Sequence, residues 1–201
     1  MKSASAIKQL KAIQKLVRKK DMRLAAEWNS KYKILIATIL SAQTRDETTI
    51  AVCENLFKKY PSMTKLSKVR ISSIEKIIRK VNYHKTKAKN IIATAKMLAG
   101  RKIPETTEEL LVFPGVGRKV ANVYMAEAHN ADVIGVDTHV KRISYKLGWT
   151  KSKNPNRIEK DLMKLFPKSY WGKINDYLVR FGRTIGRSRK REDETLTKLI
   201  N

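Results

Sequence analysis

Cysteine is almost absent from this chain: Cys53 stands alone among 201 residues. One thiol cannot form an intramolecular disulfide, supply four thiolates to an iron–sulfur cluster or build a four-cysteine zinc site. Histidine is scarce as well, and His84, His129 and His139 lack metal-ligand spacing, so no catalytic metal is expected. Long apolar runs are missing too. The longest, Ile34 to Leu40, is seven residues, far short of the ~20 that span a bilayer. No apolar signal core follows the basic N-terminal residues. There is no internal repeat, no low-complexity segment and no alternating run long enough for a sheet. These absences predict a soluble intracellular protein without a membrane segment.

Acidic residues are few: 18 Asp and Glu face 44 Lys and Arg, leaving a formal charge of +26. A hydrophobic fraction of 42% beside 31% charged residues fits a folded chain. So large a positive excess favours a polyanion such as DNA or RNA, because neutralising phosphates releases counterions. On charge alone, a solubility device remains the alternative. The basic residues are spread along the chain, with clusters at Lys15, Arg18, Lys19 and Lys20 and again at Arg187, Arg189, Lys190 and Arg191. That spread predicts an extended binding face rather than one basic arm.

The apolar spacing is helical almost throughout, and the predicted fold class is all-α. Leu35, Ile36, Ile39 and Leu40 predict a well-buried helix ending near Ser41-Ala42-Gln43. Asp46 reads as the N-cap of a helix through Val52, Leu56 and Phe57 that closes at Tyr60-Pro61. Ile74, Ile77, Ile78 and Val81 form one helical stripe; Ile91, Ile92, Ala95, Leu98 and Ala99 form another, stopped by Gly100. Turn chemistry at Ile103 to Thr107 leads into a short helix through Leu110-Leu111. An irregular or extended stretch, Ala131 to Val136, delivers Asp137-Thr138-His139 to a helix striped by Val140, Ile143, Ser144 and Leu147. Lys151 to Asn156 read as a loop, with further helices around Ile158–Phe166 and Ile174–Phe181.

The segment Phe113-Pro114-Gly115-Val116-Gly117-Arg118-Lys119-Val120-Ala121-Asn122 joins two helices through a Pro-Gly-x-Gly turn, a helix-hairpin-helix pattern. Its glycines allow positive φ and put no Cβ between backbone and an approaching phosphate. The following helix aims its unpaired N–H groups and positive dipole end at that phosphate. Val116, Val120 and Val123 can anchor the unit in a core. A dinucleotide-binding turn fails for want of a third glycine and a preceding strand. A phosphate-cradling loop fails because the glycines are two apart and Val120 follows the lysine. A tight turn without ligand stays open. Lys119, in the first turn of a helix, is a poor dipole match, and by position alone it reads as a solvated surface charge.

Leu111 to Val123, followed by Val136-Asp137-Thr138-His139-Val140-Lys141-Arg142, resembles the endonuclease III family of helix-hairpin-helix DNA glycosylases. Leu40-Ser41-Ala42-Gln43-Thr44-Arg45-Asp46 is similar to that family's Leu-Ser-x-Gln-x-x-Asp segment, and Tyr83-His84-Lys85-Thr86-Lys87-Ala88 to its minor-groove wedge loop. The likeness runs in order from about residue 30 to about residue 185. It implies a two-lobed fold, with a six-helix barrel over residues 23–133 carrying the hairpin at about 108–128, and a second helical lobe from residues 1–22 and 134–201. It implies Lys119 as nucleophile and Asp137 as the acid at the mouth of the same cleft, with Gly115, Val116, Gly117 and Arg118 as the DNA-binding hairpin. Base flipping would fall to Gln43, filling the vacated space, and to Tyr83, wedging into the opposite strand. Without the family, Gln43 is an ordinary polar helix end, Tyr83 an ordinary loop aromatic and Asp137 a helix cap.

The resemblance further implies a bifunctional DNA N-glycosylase and abasic-site lyase of base excision repair, acting on oxidised pyrimidines. A glycosylase for mismatched thymine or uracil or for oxidised guanine is the rival within the enzymes. A non-catalytic helix-hairpin-helix DNA-binding module is the rival outside them. Expected with it are double-stranded DNA carrying a damaged base or abasic site as partner, a monomer, and a cytoplasmic, nucleoid-associated location of prokaryotic type. Two departures stand out. The four cysteines that hold a [4Fe–4S] cluster in family members have no counterpart across Phe181 to Arg191, so no cluster is expected; Arg183, Arg187, Arg189, Lys190 and Arg191 become candidate phosphate contacts, or else a solvated terminal helix. Leu111 stands where some relatives have an acid, which leaves proton transfer to Asp137 and water. A monovalent cation at the hairpin carbonyls is allowed by the resemblance.

Overall fold

Helical periodicity becomes helix at nearly every stripe. The computed structural model describes residues 2–17 and 22–200; Arg18, Lys19 and Lys20 of the first basic cluster lie outside them. Among the described residues all regular structure is helical, and no helix is long and apolar enough to cross a membrane. The chain divides into two units, one of residues 23–129 and the other of residues 1–22 with 130–201.

The continuous unit is arranged around α2 (Lys31–Ser41), whose residues Ile34 to Leu40 are buried on every side. A helix that is apolar all round has to be surrounded. Here α2 packs against α3 (Asp46–Lys59), α6 (His84–Leu98) and α8 (Arg118–His129). Each fully buried Leu or Ile of α2 contributes roughly 1.5–3 kcal/mol. Between these lie α4 (Met63–Ser67), α5 (Ile71–Ile77) and the single turn α7 (Thr107–Leu110), capped by the Thr106 hydroxyl.

Two boundaries differ from the pattern. The 74–81 stripe buries Ile74, Ile78 and Val81, yet α5 ends at Ile77, and Val81 is held by a turn hydrogen bond to the Ile78 carbonyl, 2.8 Å. Asp46 is the first residue of α3 rather than its cap, a role that falls to Arg45. Its carboxylate sits in the positive first turn of the helix, which favours negative charge.

The discontinuous unit contains α1 (Ser3–Leu16), α9 (Thr138–Lys146), α10 (Pro155–Leu165), α11 (Trp171–Thr184) and α12 (Arg189–Ile200). Its core brings Ala6, Leu10 and Ile13 of α1 together with Val140, Ile143, Ile158, Leu162, Leu178, Phe181 and Leu196. The stretch before α9 is irregular, with Ile134 and Val136 buried, and the expected 151–156 loop is shorter because Pro155 opens α10 under an Asn154 cap.

Candidate functional site

The hairpin is built between α7 and α8. Thr107 Oγ1 donates to Asn122 Oδ1 at 3.0 Å and ties the two helices together. Thr94 of α6 donates its hydroxyl to the Pro114 carbonyl at 3.0 Å, and Val116 N closes the turn on Phe113 O at 3.0 Å. Gly115 has a φ of +82°, and a Cβ there would lie 3.0 Å from Asn90 Nδ2 and 3.2 Å from Ile39 Cγ2, so a side chain meets both strain and crowding.

Gly117 corrects the expectation for the pair. It has no positive φ, and a Cβ there would meet nothing within 4 Å. Its carbonyl instead accepts the first α8 hydrogen bond, from Ala121 N at 3.0 Å. Gly115 therefore serves the turn, and Gly117 leaves the helix N-terminus open. Val116 and Val120 are buried and Val123 half-buried, so Val116 offers a ligand its backbone only. Arg118 is exposed, and Lys119, the second residue of α8, is half-buried.

The segment carrying Gln43 shares this unit. Gln43 follows α2 at φ +55° and Tyr83 precedes α6 at φ +58°; both are exposed, non-glycine residues in the left-handed region. Such a conformation costs roughly 1–2 kcal/mol per residue and persists only where the surroundings fix it. The surroundings are explicit. Asn82 donates its side-chain amide to the Gln43 carbonyl and its backbone N–H to Thr44 Oγ1, 3.2 Å. Lys87 Nζ donates to the carbonyls of Leu40, 2.8 Å, and Ala42, and to Thr44 Oγ1, 3.2 Å.

Lys87 is only 6% exposed. Burial, and next the charge of Lys119, push its pKa down to about 8. The lysine of this cluster that the motifs left unassigned is thus the more deeply buried one. The signal for it was present: Lys87 stands four residues before Ile91 and eight before Ala95, on the buried face of α6, where a solvated lysine has no place.

Asp137 belongs to the discontinuous unit and caps α9, its Oδ1 accepting from Val140 N at 2.8 Å. Next to it, burial holds the His139 imidazole below its ordinary value; Asp137 pulls the other way, and Arg142 and Arg183 add to the lowering. The His139 ring packs on Gly182, where a Cβ would come within 2.1 Å of Nδ1. Glu192 of α12 is 1% exposed and accepts from Arg142 Nε and Nη2, at 2.9 and 2.7 Å, and from Lys146 Nζ at 2.8 Å. Burial alone raises its pKa, and these two cations more than offset that, leaving it lowered.

Of the C-terminal cations, Arg187, Arg189, Lys190 and Arg191 are exposed. Arg183 is half-buried on α11, and its carbonyl accepts from Arg187 Nε at 2.8 Å. The residues do not fit an iron–sulfur cluster. Cys53 is buried in α3, and burial pushes its thiol up, away from the thiolate form that iron requires.

Comparison with known proteins gives a consistent result. The family model of the HhH-GPD superfamily base excision DNA repair proteins matches residues 36–168. The chain is 39% identical over 157 residues to endonuclease III of Thermotoga maritima, covering 77% of this chain and 74% of that protein. It is 39% identical over 168 residues to endonuclease III of Synechocystis, covering 82% and 77%. A solved structure of a trapped endonuclease III–DNA covalent intermediate superposes with a TM-score of 0.85 at 31% identity, over 94% of this chain and 90% of that one. A thermostable thymine-DNA glycosylase shares the fold, with a TM-score of 0.79 at 21% identity over 98% and 96% of the two chains.

Proposed function

Because the chain belongs to the HhH-GPD superfamily of base excision DNA repair proteins, we propose that Lys119 is the nucleophile of its reaction and oxidised pyrimidines in duplex DNA its substrates. The protein is a DNA glycosylase and abasic-site lyase, like the endonuclease III proteins it matches. Its partner is double-stranded DNA with a damaged base or abasic site, which it engages as a monomer. The observation that carries the assignment is Lys119 in the first turn of α8, half-buried directly behind a hairpin whose Gly117 faces open space.

In the neutral form, Lys119 Nζ attacks C1′ of the flipped nucleotide, and the N-glycosidic bond breaks with its electron pair leaving on the base. Loss of a proton from nitrogen and opening of the sugar give the Schiff base. Removal of a C2′ proton then expels the 3′ phosphate by β-elimination. Asp137 stabilises the positive charge that develops on the sugar and, with water, moves the protons. The charges of Lys87 and Lys119 repel one another, and that of Lys119 adds to the lowering at Lys87. Gly115 to Arg118 grip the phosphate backbone through main-chain N–H groups and the Arg118 guanidinium. Arg183, Arg187, Arg189, Lys190 and Arg191 add phosphate contacts, and the hairpin carbonyls would hold a monovalent cation.

Borohydride trapping on a duplex with one abasic site tests the assignment. Wild type is expected to give a covalent complex and Lys119→Ala none, with duplex affinity changed less than about threefold; repetition with thymine glycol sets the lesion class. Trapping by Lys119→Ala would remove Lys119 from the mechanism. Tight binding by wild type without trapping would leave a monofunctional glycosylase or a non-catalytic binding module.

A further inference from the structure

Resting on the base-flipping roles that the family resemblance implies for Gln43 and Tyr83, we infer that these two residues form one mechanical unit, with Lys87, Thr44 and Asn82 as the positioning residues that join them. Gln43 and Tyr83 lie forty residues apart, at the end of one helix and the start of another, and both hold the left-handed conformation. Neither conformation is explained by its own residue type, since neither is glycine nor one of the short polar side chains that adopt it readily.

The explanation lies between them. Thr44 Oγ1 receives the Asn82 backbone N–H, one residue before Tyr83, and the Lys87 ammonium, four residues after it. Lys87 directs its other donors to the carbonyls of Leu40 and Ala42, the residues that lead into Gln43. Asn82 closes the circuit by holding the Gln43 carbonyl itself. A displaced Gln43 turn therefore strips partners from both ends of the wedge loop, and a displaced wedge loop strips them from the Gln43 turn. A buried ammonium carries a desolvation cost, and its hydrogen bonds to three oxygens of one turn provide the compensation. In this arrangement the filling and wedging side chains are presented together, and insertion into DNA is a single event.

The test uses the full-length protein and a duplex carrying one tetrahydrofuran abasic analogue, which no lyase can cut, with 2-aminopurine beside the analogue. Unstacking raises the fluorescence of 2-aminopurine, so the signal reports insertion independently of chemistry. Wild type is expected to raise it severalfold. Lys87→Met and Asn82→Ala are each expected to lose most of that rise while their affinity for undamaged duplex falls less than threefold, and Gln43→Ala is expected to lose most of the rise as well. Asn82 is exposed, so its variant keeps the fold even where Lys87→Met does not. Read as the equilibrium constant for insertion, the double variant Asn82→Ala/Gln43→Ala is expected to lose no more than Gln43→Ala alone, the non-additivity of groups acting as a unit. Additive losses, a full signal from Asn82→Ala, or no rise with wild type would each overturn the inference. Borohydride trapping of wild type and Lys119→Ala on a natural abasic site, run alongside, reads the lyase function separately.

Discussion

Asp137 has two tasks that a single substitution can separate. Its side chain caps α9 through Val140 N at 2.8 Å, and it is also the proposed stabiliser of charge on the sugar. Asparagine caps as well as aspartate but carries no charge. Asp137→Asn is therefore expected to keep thermal stability within about 0.5 kcal/mol while slowing base release at least tenfold in single-turnover assays. Asp137→Ala is expected to lose about 1 kcal/mol in addition, read from chemical denaturation. Equal stability of the two variants would deny the cap its role. The capping half of this was legible in Asp137-Thr138-His139, since Asp before a helical stripe is a start signal. The buried face that Lys87 occupies was legible too, from Ile91 and Ala95 on the same helix, whereas its partners were not, because the Leu40 and Ala42 carbonyls lie forty-five or more residues away and no local pattern records them.

The hairpin shows the same contrast within one element. Two glycines two residues apart look alike in the sequence, and the helix-hairpin-helix pattern is enough to find them. Their division of labour depends on what lies across the turn, Asn90 and Ile39 for Gly115 and open space for Gly117. Gly115→Ala is expected to cost about 2 kcal/mol or more, from left-handed backbone and overpacking together. Gly117→Ala is expected to leave denaturation within about 0.5 kcal/mol of wild type and to weaken duplex binding, because its methyl would stand in the open space proposed for the phosphate. A large stability loss at Gly117, or undiminished DNA affinity, would sink that division. Elsewhere the helices read well from their stripes: Ile91, Ile92, Ala95 and Leu98 are all buried on α6, and Gly100 follows at φ +73°. Stripes fail at helix ends, where Ile78 and Val81 keep the apolar period after the helix has stopped.

For the molecule as a whole, +26 of formal charge makes compactness expensive, and buried anions relieve it where they are placed well. Glu192 is such an anion, between Arg142 and Lys146. Its carboxyl is held below the ordinary 4.5, so the folded state binds its proton less readily than the unfolded state. The stabilisation is thus complete above that value and disappears as pH falls through the lower, folded one. Glu192→Gln is expected to lose about 2 kcal/mol at neutral pH and to show a flatter decline of Tm below pH 4.5 than wild type. Parallel acid limbs for the two proteins would contradict the ion-paired assignment.

The discontinuous unit also fixes an order of events at the ribosome. The apolar face of α1, with Ala6, Leu10 and Ile13, is covered by residues that follow position 133, most of them on α9 to α12. At about 5–20 residues per second, those partners emerge on the order of ten seconds after α1 does. Once residue 129 has emerged, residues 23–129 have everything they need to close their own core, whereas the first helix made is among the last to find its place. A nascent chain of this protein advertises its incompleteness by that uncovered face, which chaperones can hold and proteases can read until translation has passed Leu196.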